Sequence, residues 1–205
     1  MSFSEKSCKE FTDELSTKAP VPGGGGASAL VGSVGVALGS MVANLTAGKK
    51  KYAEFEDDIQ RILAESETLK DHVLGLADED AKVFEPLSRA YGIPKDDPTR
   101  DAVMEDALKK ASSVPLEIMK DCCKAIDMHA ELSEKGSMLA ISDVGVGVVC
   151  CKAALMGASL NVFINTKSMK DRAFAEKLNA EADAMLEKYC HLADEIFERV
   201  NGKLR

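Results

Sequence analysis

Apolar residues recur at steps of three and four along most of the chain, and alternation at period two is almost absent, so the pattern predicts helices and no sheet. A short first helix is expected over residues 4–16, with Phe11 and Leu15 one turn apart, ending before the Pro20-Val21-Pro22 punctuation. An uncharged segment follows as far as Gly48, with small residues at Gly32, Gly35, Gly39 and Ala43 that would let another backbone approach closely. It reads as a helix at the centre of a bundle, stopped at Gly48 and followed by Lys49, Lys50 and Lys51, whose charge suits a helix C-terminus. Over residues 52–91 the stripe from Phe55 and Ile59 through Val73 and Leu76 to Leu87 and Tyr91 predicts one long amphipathic helix or two in line. Gly92-Ile93-Pro94 breaks it, and Asp97-Pro98 reads as an N-cap with proline at the first helical position. The next stripe, Val103, Ala107, Ala111, Val114, Ile118, Cys122, Ile126 and His129, predicts a helix bent at Pro115 and stopped by Gly136. A second apolar helix is expected over residues 142–165, and a final amphipathic one carries Phe174, Leu178, Met185, Tyr189, Leu192, Ile196 and Val200.

The expected fold is therefore all-α: one domain over residues 1–205, a bundle of about six helices around two buried central ones. So few surrounding helices cannot shield both central ones, and a homodimer is expected to supply the missing cover.

Composition narrows the partners. Acidic residues number 34 against 26 basic ones, a formal charge of -8, which lacks the basic footprint of a nucleic-acid binder. Residues 19–48 are long enough to cross a bilayer, but their glycines and Ser28, Ser33, Ser40, Asn44 and Thr46 make them less apolar than a typical span. The second run, residues 144–166, holds Lys152 in its middle, which is costly in lipid, so no membrane is expected. Of the six cysteines, Cys122-Cys123 and Cys150-Cys151 are adjacent and would point about 100° apart on a helix, unsuited to chelation. Packed, reduced thiols are expected instead; with no recognisable signal peptide, this points to the cytoplasm. His72, His129 and His191 show no metal-ligand spacing and read as structural or surface residues, so no metal is expected.

Four features carry candidate chemistry. Pro22 leads into Gly23, Gly24, Gly25 and Gly26 and then a helix, where exposed N–H groups would favour an anion; the alternative is a hinge. No Lys-Ser or Lys-Thr follows, so it is not a Walker A loop, and no strand precedes it as a dinucleotide fingerprint requires. Asp80 falls on the apolar stripe of its helix, so its carboxylate faces the core and needs a partner, a helix to cap or a function. On the second apolar helix Asp143, Gly147, Ala154, Ala158, Asn161 and Asn165 share one face, readable as the lining of a groove or as a cap at Asp143 and a helix end at Asn165. The lysines after Asn44 and Thr46, with Tyr52, are either solvated charge or a grip for a carboxylated substrate.

Together these segments resemble the cyclodeaminase/cyclohydrolase family of tetrahydrofolate enzymes. The resemblance rests on residues 19–25, on residues 41–52, on the Asp80 to Phe84 segment, and on Ser142-Asp143-Val144-Gly145 through Asn161-Val162, in the family's order along nearly the whole chain. One departure is Gly136-Ser137, where Gly-Asn is expected. The resemblance implies an all-helical homodimer, a folate substrate with or without a polyglutamate tail, and neither metal nor organic cofactor. It implies catalytic roles for Asp80, Asp143 and Lys50, and a folate cleft drawn from Pro22, Gly23, Gly24, Gly25, Asn44, Thr46, Tyr52, Phe84, Asn161 and Asn165. The expected activity is hydrolysis of 5,10-methenyltetrahydrofolate to the 10-formyl form; the alternatives are the formiminotetrahydrofolate cyclodeaminase reaction and a non-catalytic helical binding module.

Overall fold

The computed structural model describes residues 2–205, and among them there are helices and no strand. The α-helices are α1 (Cys8–Leu15), α2 (Gly24–Asn44), α3 (Glu56–Tyr91), α4 (Arg100–Ala111), α5 (Ser113–Lys135), α6 (Ile141–Ser168) and α7 (Arg172–Leu204), with single 3-10 segments at Lys50–Phe55 and Met138–Ala140. The expected bundle is thus six long helices plus the short α1. Local chemistry explains several boundaries. Ser7 and Glu10 form a reciprocal capping box at the start of α1. Glu56, Asp57 and Asp58 place negative charge on the positive end of α3, and Asp171 accepts the Phe174 N–H to open α7.

The segment between α3 and α5 departs from expectation. Asp97 does not cap a helix starting at Pro98: its carboxylate accepts from the Thr99 N–H and hydroxyl, a turn that precedes α4 by one step. The single bent helix is two helices divided at buried Ser112, whose hydroxyl donates to the Leu108 carbonyl. Pro115 falls in the first turn of α5, where its missing N–H leaves no helical bond unmade.

Helices α2 and α6 run antiparallel through the centre, so that Gly24 lies against Asn161, Gly32 against Ala154 and Gly35 against Cys151. The small residues set this crossing: a Cβ on Gly35 would sit 2.5 Å from the Cys151 sulfur and 2.9 Å from the Gly147 carbonyl oxygen. The stripe of small residues on α6 is therefore a helix–helix contact and not, as one reading had it, the lining of a groove. His129 of α5 wedges into the same crossing, wholly buried, its Nε2 donating to the Gly35 carbonyl at 3.0 Å while Nδ1 has no partner. Burial pulls its pKa down to about 4, so the ring is neutral. All six cysteines are free thiols, and burial raises Cys122, Cys123, Cys150, Cys151 and Cys190.

Within one chain the two central helices are buried only in part. On α2 the side chains of Val31, Val34 and Met41 are exposed, with Leu45 just beyond its end, and α6 leaves Val146, Val149, Met156, Leu160 and Ile164 exposed, because α3, α5 and α7 cover only the other sides. Both helices are long and apolar enough to cross a membrane by length and composition, yet 56% and 50% of their most apolar windows pack inside the bundle. Lys152, in the middle of α6, pairs with Asp194 of α7 at 2.6 Å.

Candidate active site

The glycine run forms the N-terminal turn of α2, and its N-cap residue, Gly23, has no side chain to cap it. The first helical bond is donated by Ala27 to the Gly23 carbonyl, so the N–H groups of Gly24 and Gly25 have no partner within α2. Asp80 reaches this turn from α3. Its carboxylate lies so close over Gly25 that a Cβ there would fall 2.4 Å from both oxygens; only glycine admits the approach. Phe84, one turn further along α3, and Asn161 and Asn165 of α6 complete the surround. Together with Pro20, Val21, Gly23, Ala111, Pro115 and Ile164 they line a cavity of about 70 Å³.

Asp80 is partly buried and makes no ion pair among the described residues. Burial pushes its pKa up to about 6, offset only in part by the Gly26 N–H, which favours the charged form. A carboxyl group so placed titrates near neutrality, where it can accept or donate a proton. The expectation that Asp80 turns inward is met; no ion pair accounts for it, and through the Gly26 N–H it also caps the N-terminal turn of α2.

The other predicted residues separate into those that join Asp80 and those that do not. Gly23, Gly24, Gly25, Phe84, Asn161 and Asn165 join it. Asn161 donates its amide N–H to the Gly157 carbonyl; Asn165 donates to the Ala111 carbonyl from the last turn of α6, which continues to Ser168. Pro22 is buried under the loop, leaving Pro20 and Val21 at the cavity wall. Asn44, Thr46, Lys50, Tyr52 and Asp143 lie at the opposite end of the α2–α6 pair. Asp143 and Asn161 are five helical turns apart, about 27 Å.

At that far end Thr46 is inaccessible: its hydroxyl donates to the Val42 carbonyl and accepts the Ser137 N–H, tying α2 to the segment before α6. This corrects its assignment as a substrate contact. The Tyr52 hydroxyl accepts the Met138 N–H at 2.9 Å, the main cause of its lowered pKa. Ser137, the departure from the family pattern, is buried, and its hydroxyl accepts from Lys49 at 3.4 Å. Lys50 and Asn44 are exposed, and Asp143, in the first turn of α6, makes no capping bond.

Sequence spacing missed one cluster. Folding brings His72 of α3 to Asp121 of α5, with Glu117 close by, at a groove of about 490 Å³. Asp121 is fully buried; His72 Nδ1 lies 2.6 Å from one of its oxygens and Lys124 donates to the other at 2.7 Å. The two helices pair a buried carboxylate with two cationic or polar partners, an arrangement that the i and i+4 spacing of Glu117 and Asp121 hints at only once α3 is known to lie beside α5.

Comparison with known proteins places this geometry. The family described as formiminotransferase-cyclodeaminase matches residues 7–184. A methenyltetrahydrofolate cyclohydrolase of Methylorubrum extorquens is 42% identical over 198 residues, 95% of each chain. The formimidoyltransferase-cyclodeaminase of Rattus norvegicus is 28% identical over 91% of this chain, which spans 35% of that longer protein. A solved structure of formiminotetrahydrofolate cyclodeaminase from Thermotoga maritima superposes with a TM-score of 0.85 at 30% identity, covering 98% of this chain and 96% of the other. With an all-helical bundle, a glycine-opened central helix and a carboxylate seated on it, the chain belongs to the formiminotransferase-cyclodeaminase family.

Proposed function

We propose that the protein hydrolyses 5,10-methenyltetrahydrofolate to 10-formyltetrahydrofolate, and that Asp80 is its proton-transfer group. The supporting observation is the Asp80 carboxyl, unpaired, with a pKa pushed up to about 6, against the free N–H groups of Gly24 and Gly25. The cyclohydrolase relative at 42% identity over 95% of both chains favours this reaction over others of the family.

The chemistry needs few parts. The bridge carbon of the substrate is a cationic amidinium, already electrophilic, so neither metal nor organic cofactor is required to activate it. Water adds to that carbon and loses a proton to ionised Asp80, giving a neutral tetrahedral adduct. The bond from N5 to this carbon then breaks as N5 takes up the proton from Asp80; the adduct hydroxyl gives its own proton to the regenerated carboxylate and so to solvent, the formyl group remains on N10, and one proton is released overall. Before the proton moves, the Asp80 charge also stabilises the cation; the α2 N–H groups stabilise the negative charge that develops on the adduct oxygen as its hydroxyl ionises during collapse. A cavity of about 70 Å³ suits the one-carbon centre and its water, and is far below the roughly 300 Å³ of a pocket that encloses a whole ligand.

The second reading is the cyclodeaminase reaction, favoured by the superposition on the Thermotoga maritima enzyme. There N10 attacks the formimino carbon on N5 and passes its proton to the imino nitrogen, protonated Asp80 gives that nitrogen a second proton, ammonia departs, and the methenyl cation remains. Both reactions share a tetrahedral carbon between N5 and N10, so one site serves either. A cytoplasmic homodimer, acting without membrane or nucleic acid, completes the proposal.

The test follows loss of the near-ultraviolet absorbance of 5,10-methenyltetrahydrofolate above the spontaneous rate. Rapid loss, reduced at least 100-fold by Asp80→Asn, is expected. No acceleration by the wild-type protein, together with ammonia release from 5-formiminotetrahydrofolate, would transfer the assignment to the second reading.

A further inference from the structure

We propose that His72 of α3, with Glu117 and Asp121 of α5, forms a site for one divalent transition-metal ion of the Zn²⁺ type, which ties the two helices together. The inference stands on side chains that the folate reading does not use.

The donor set is the first observation. One ligand atom from each of the three residues lies within 4.8 Å of the others. Small rotamer changes bring such a set onto one ion at the roughly 2.0–2.2 Å that Zn²⁺ takes with nitrogen and carboxylate oxygen. Glu117 and Asp121 stand one turn apart on the same face of α5, and His72 meets them from α3. An imidazole nitrogen with two carboxylates is a donor set that Zn²⁺ accepts.

The second observation is Glu117, whose position an ordinary buried ion pair does not require. Carboxylates one turn apart on a helix repel each other. Lys124 donates to Asp121 at 2.7 Å and acts on Glu117 only through its longer-range field. Lys120, three residues from Glu117, pairs with Glu181 of α7, and Glu65 on the groove wall pairs with Arg61. Glu117 makes no ion pair among the described residues. A divalent cation supplies the missing counter-charge.

The third observation is the way Asp121 is held. It is fully buried, and its oxygens have separate duties: Oδ1 accepts from Lys124, and Oδ2 lies 2.6 Å from His72 Nδ1. Metal-binding carboxylates are oriented in this manner, with one oxygen for the ion and the other for an outer hydrogen-bond donor. Without the ion, a proton on Nδ1 bridges ring and carboxylate; with it, a neutral ring carries its proton on Nε2 instead. His72 and Asp121 open on the groove of about 490 Å³ beside Thr68 and Met128, so an ion reaches them from solvent and a water fills the fourth position. Asp80 lies eight residues further along α3, about 12 Å by helical rise, so the ion braces the helix that carries Asp80 and takes no part in proton transfer.

The experiment titrates the full chain with Zn²⁺ by calorimetry after chelation and dialysis. One ion per chain is expected, bound at least tenfold more weakly by His72→Gln and by Glu117→Gln. Neither residue is fully buried, so both variants keep their helix content, which circular dichroism checks. Cys8→Ser and His191→Gln remove the exposed thiol and the exposed histidine of α7, and should leave the affinity unchanged. At about 100 times its Kd the ion should raise the wild-type Tm by about 5–10 °C. Absence of stoichiometric binding would overturn the proposal, as would undiminished affinity in either site variant. Binding lost with Cys8→Ser or His191→Gln would overturn it too, marking an adventitious surface ion.

Discussion

Asp80 and His129 are buried ionisable groups displaced in opposite directions, and each makes its own prediction. The Asp80 carboxyl, pushed up to about 6 by burial, holds its proton more tightly in the folded state than in the unfolded one. Its contribution to stability is therefore full below the unfolded value near 3.8 and is lost as pH rises through about 6. Asp80→Asn should raise stability at pH 8 by about 1–2 kcal/mol in a denaturant titration while abolishing turnover, the exchange expected where a strained carboxylate serves chemistry. Wild-type kcat for the hydrolysis should fall about tenfold per unit as pH drops below 6, since the base must be ionised. His129, with its pKa pulled down to about 4, behaves oppositely: stability is full above 6.5 and falls as pH drops towards 4, by up to about 3 kcal/mol. That slope is best measured in the Asp80→Asn background, where the opposing titration is gone. A profile equally flat before and after His129→Gln would refute the assignment.

The packing of α2 depends on which glycines meet something. Gly35→Ala places a methyl against the Cys151 sulfur and the Gly147 backbone, which cannot yield cheaply. A loss of about 2–3 kcal/mol in urea unfolding is expected, within the usual range for overpacking. Gly75, inside α3, meets nothing within 4 Å, so Gly75→Ala should instead stabilise by about 0.5–1 kcal/mol by restricting the unfolded chain. An equal effect at both positions would show that helix propensity, not the α2–α6 crossing, governs them. The sequence already marked Gly32, Gly35 and Gly39 as close-approach positions. What it could not show was that the same closeness turns the α6 stripe into a contact in place of a groove.

For the whole molecule, the exposed apolar side chains of α2 and α6 carry a prediction of their own. Leu160 is 68% exposed in one chain, far from any capping or ion-pair role, so Leu160→Asp should spare the helix content. It should yield a monomer in sedimentation and reduce hydrolysis at least tenfold. A fully active monomer would separate catalysis from assembly and leave that apolar face without a catalytic purpose. The helix-level expectation of a second subunit came from counting elements.

The all-helical class, the order of the long helices and the left-handed glycine at Gly48, with φ of 70°, were legible from apolar periodicity and glycine placement, because these are local properties of the chain; α2 itself stops four residues earlier, at Asn44. So was the inward turn of Asp80, since a residue on the apolar stripe of a helix has one direction to face. The split at Ser112 was not legible: whether Pro115 bends one helix or opens another depends on the packing of Ala107, Leu108 and Ala111 against α3. Nor could spacing tell that Thr46 is consumed by Ser137, or that the predicted site divides into halves about 27 Å apart. A sequence lists the residues of a site in order along the chain. The antiparallel packing of α2 on α6 decides which end of the bundle each one occupies, because it alone sets Gly24 beside Asn161 and leaves Lys50 beyond the reach of Asp80 in the same chain.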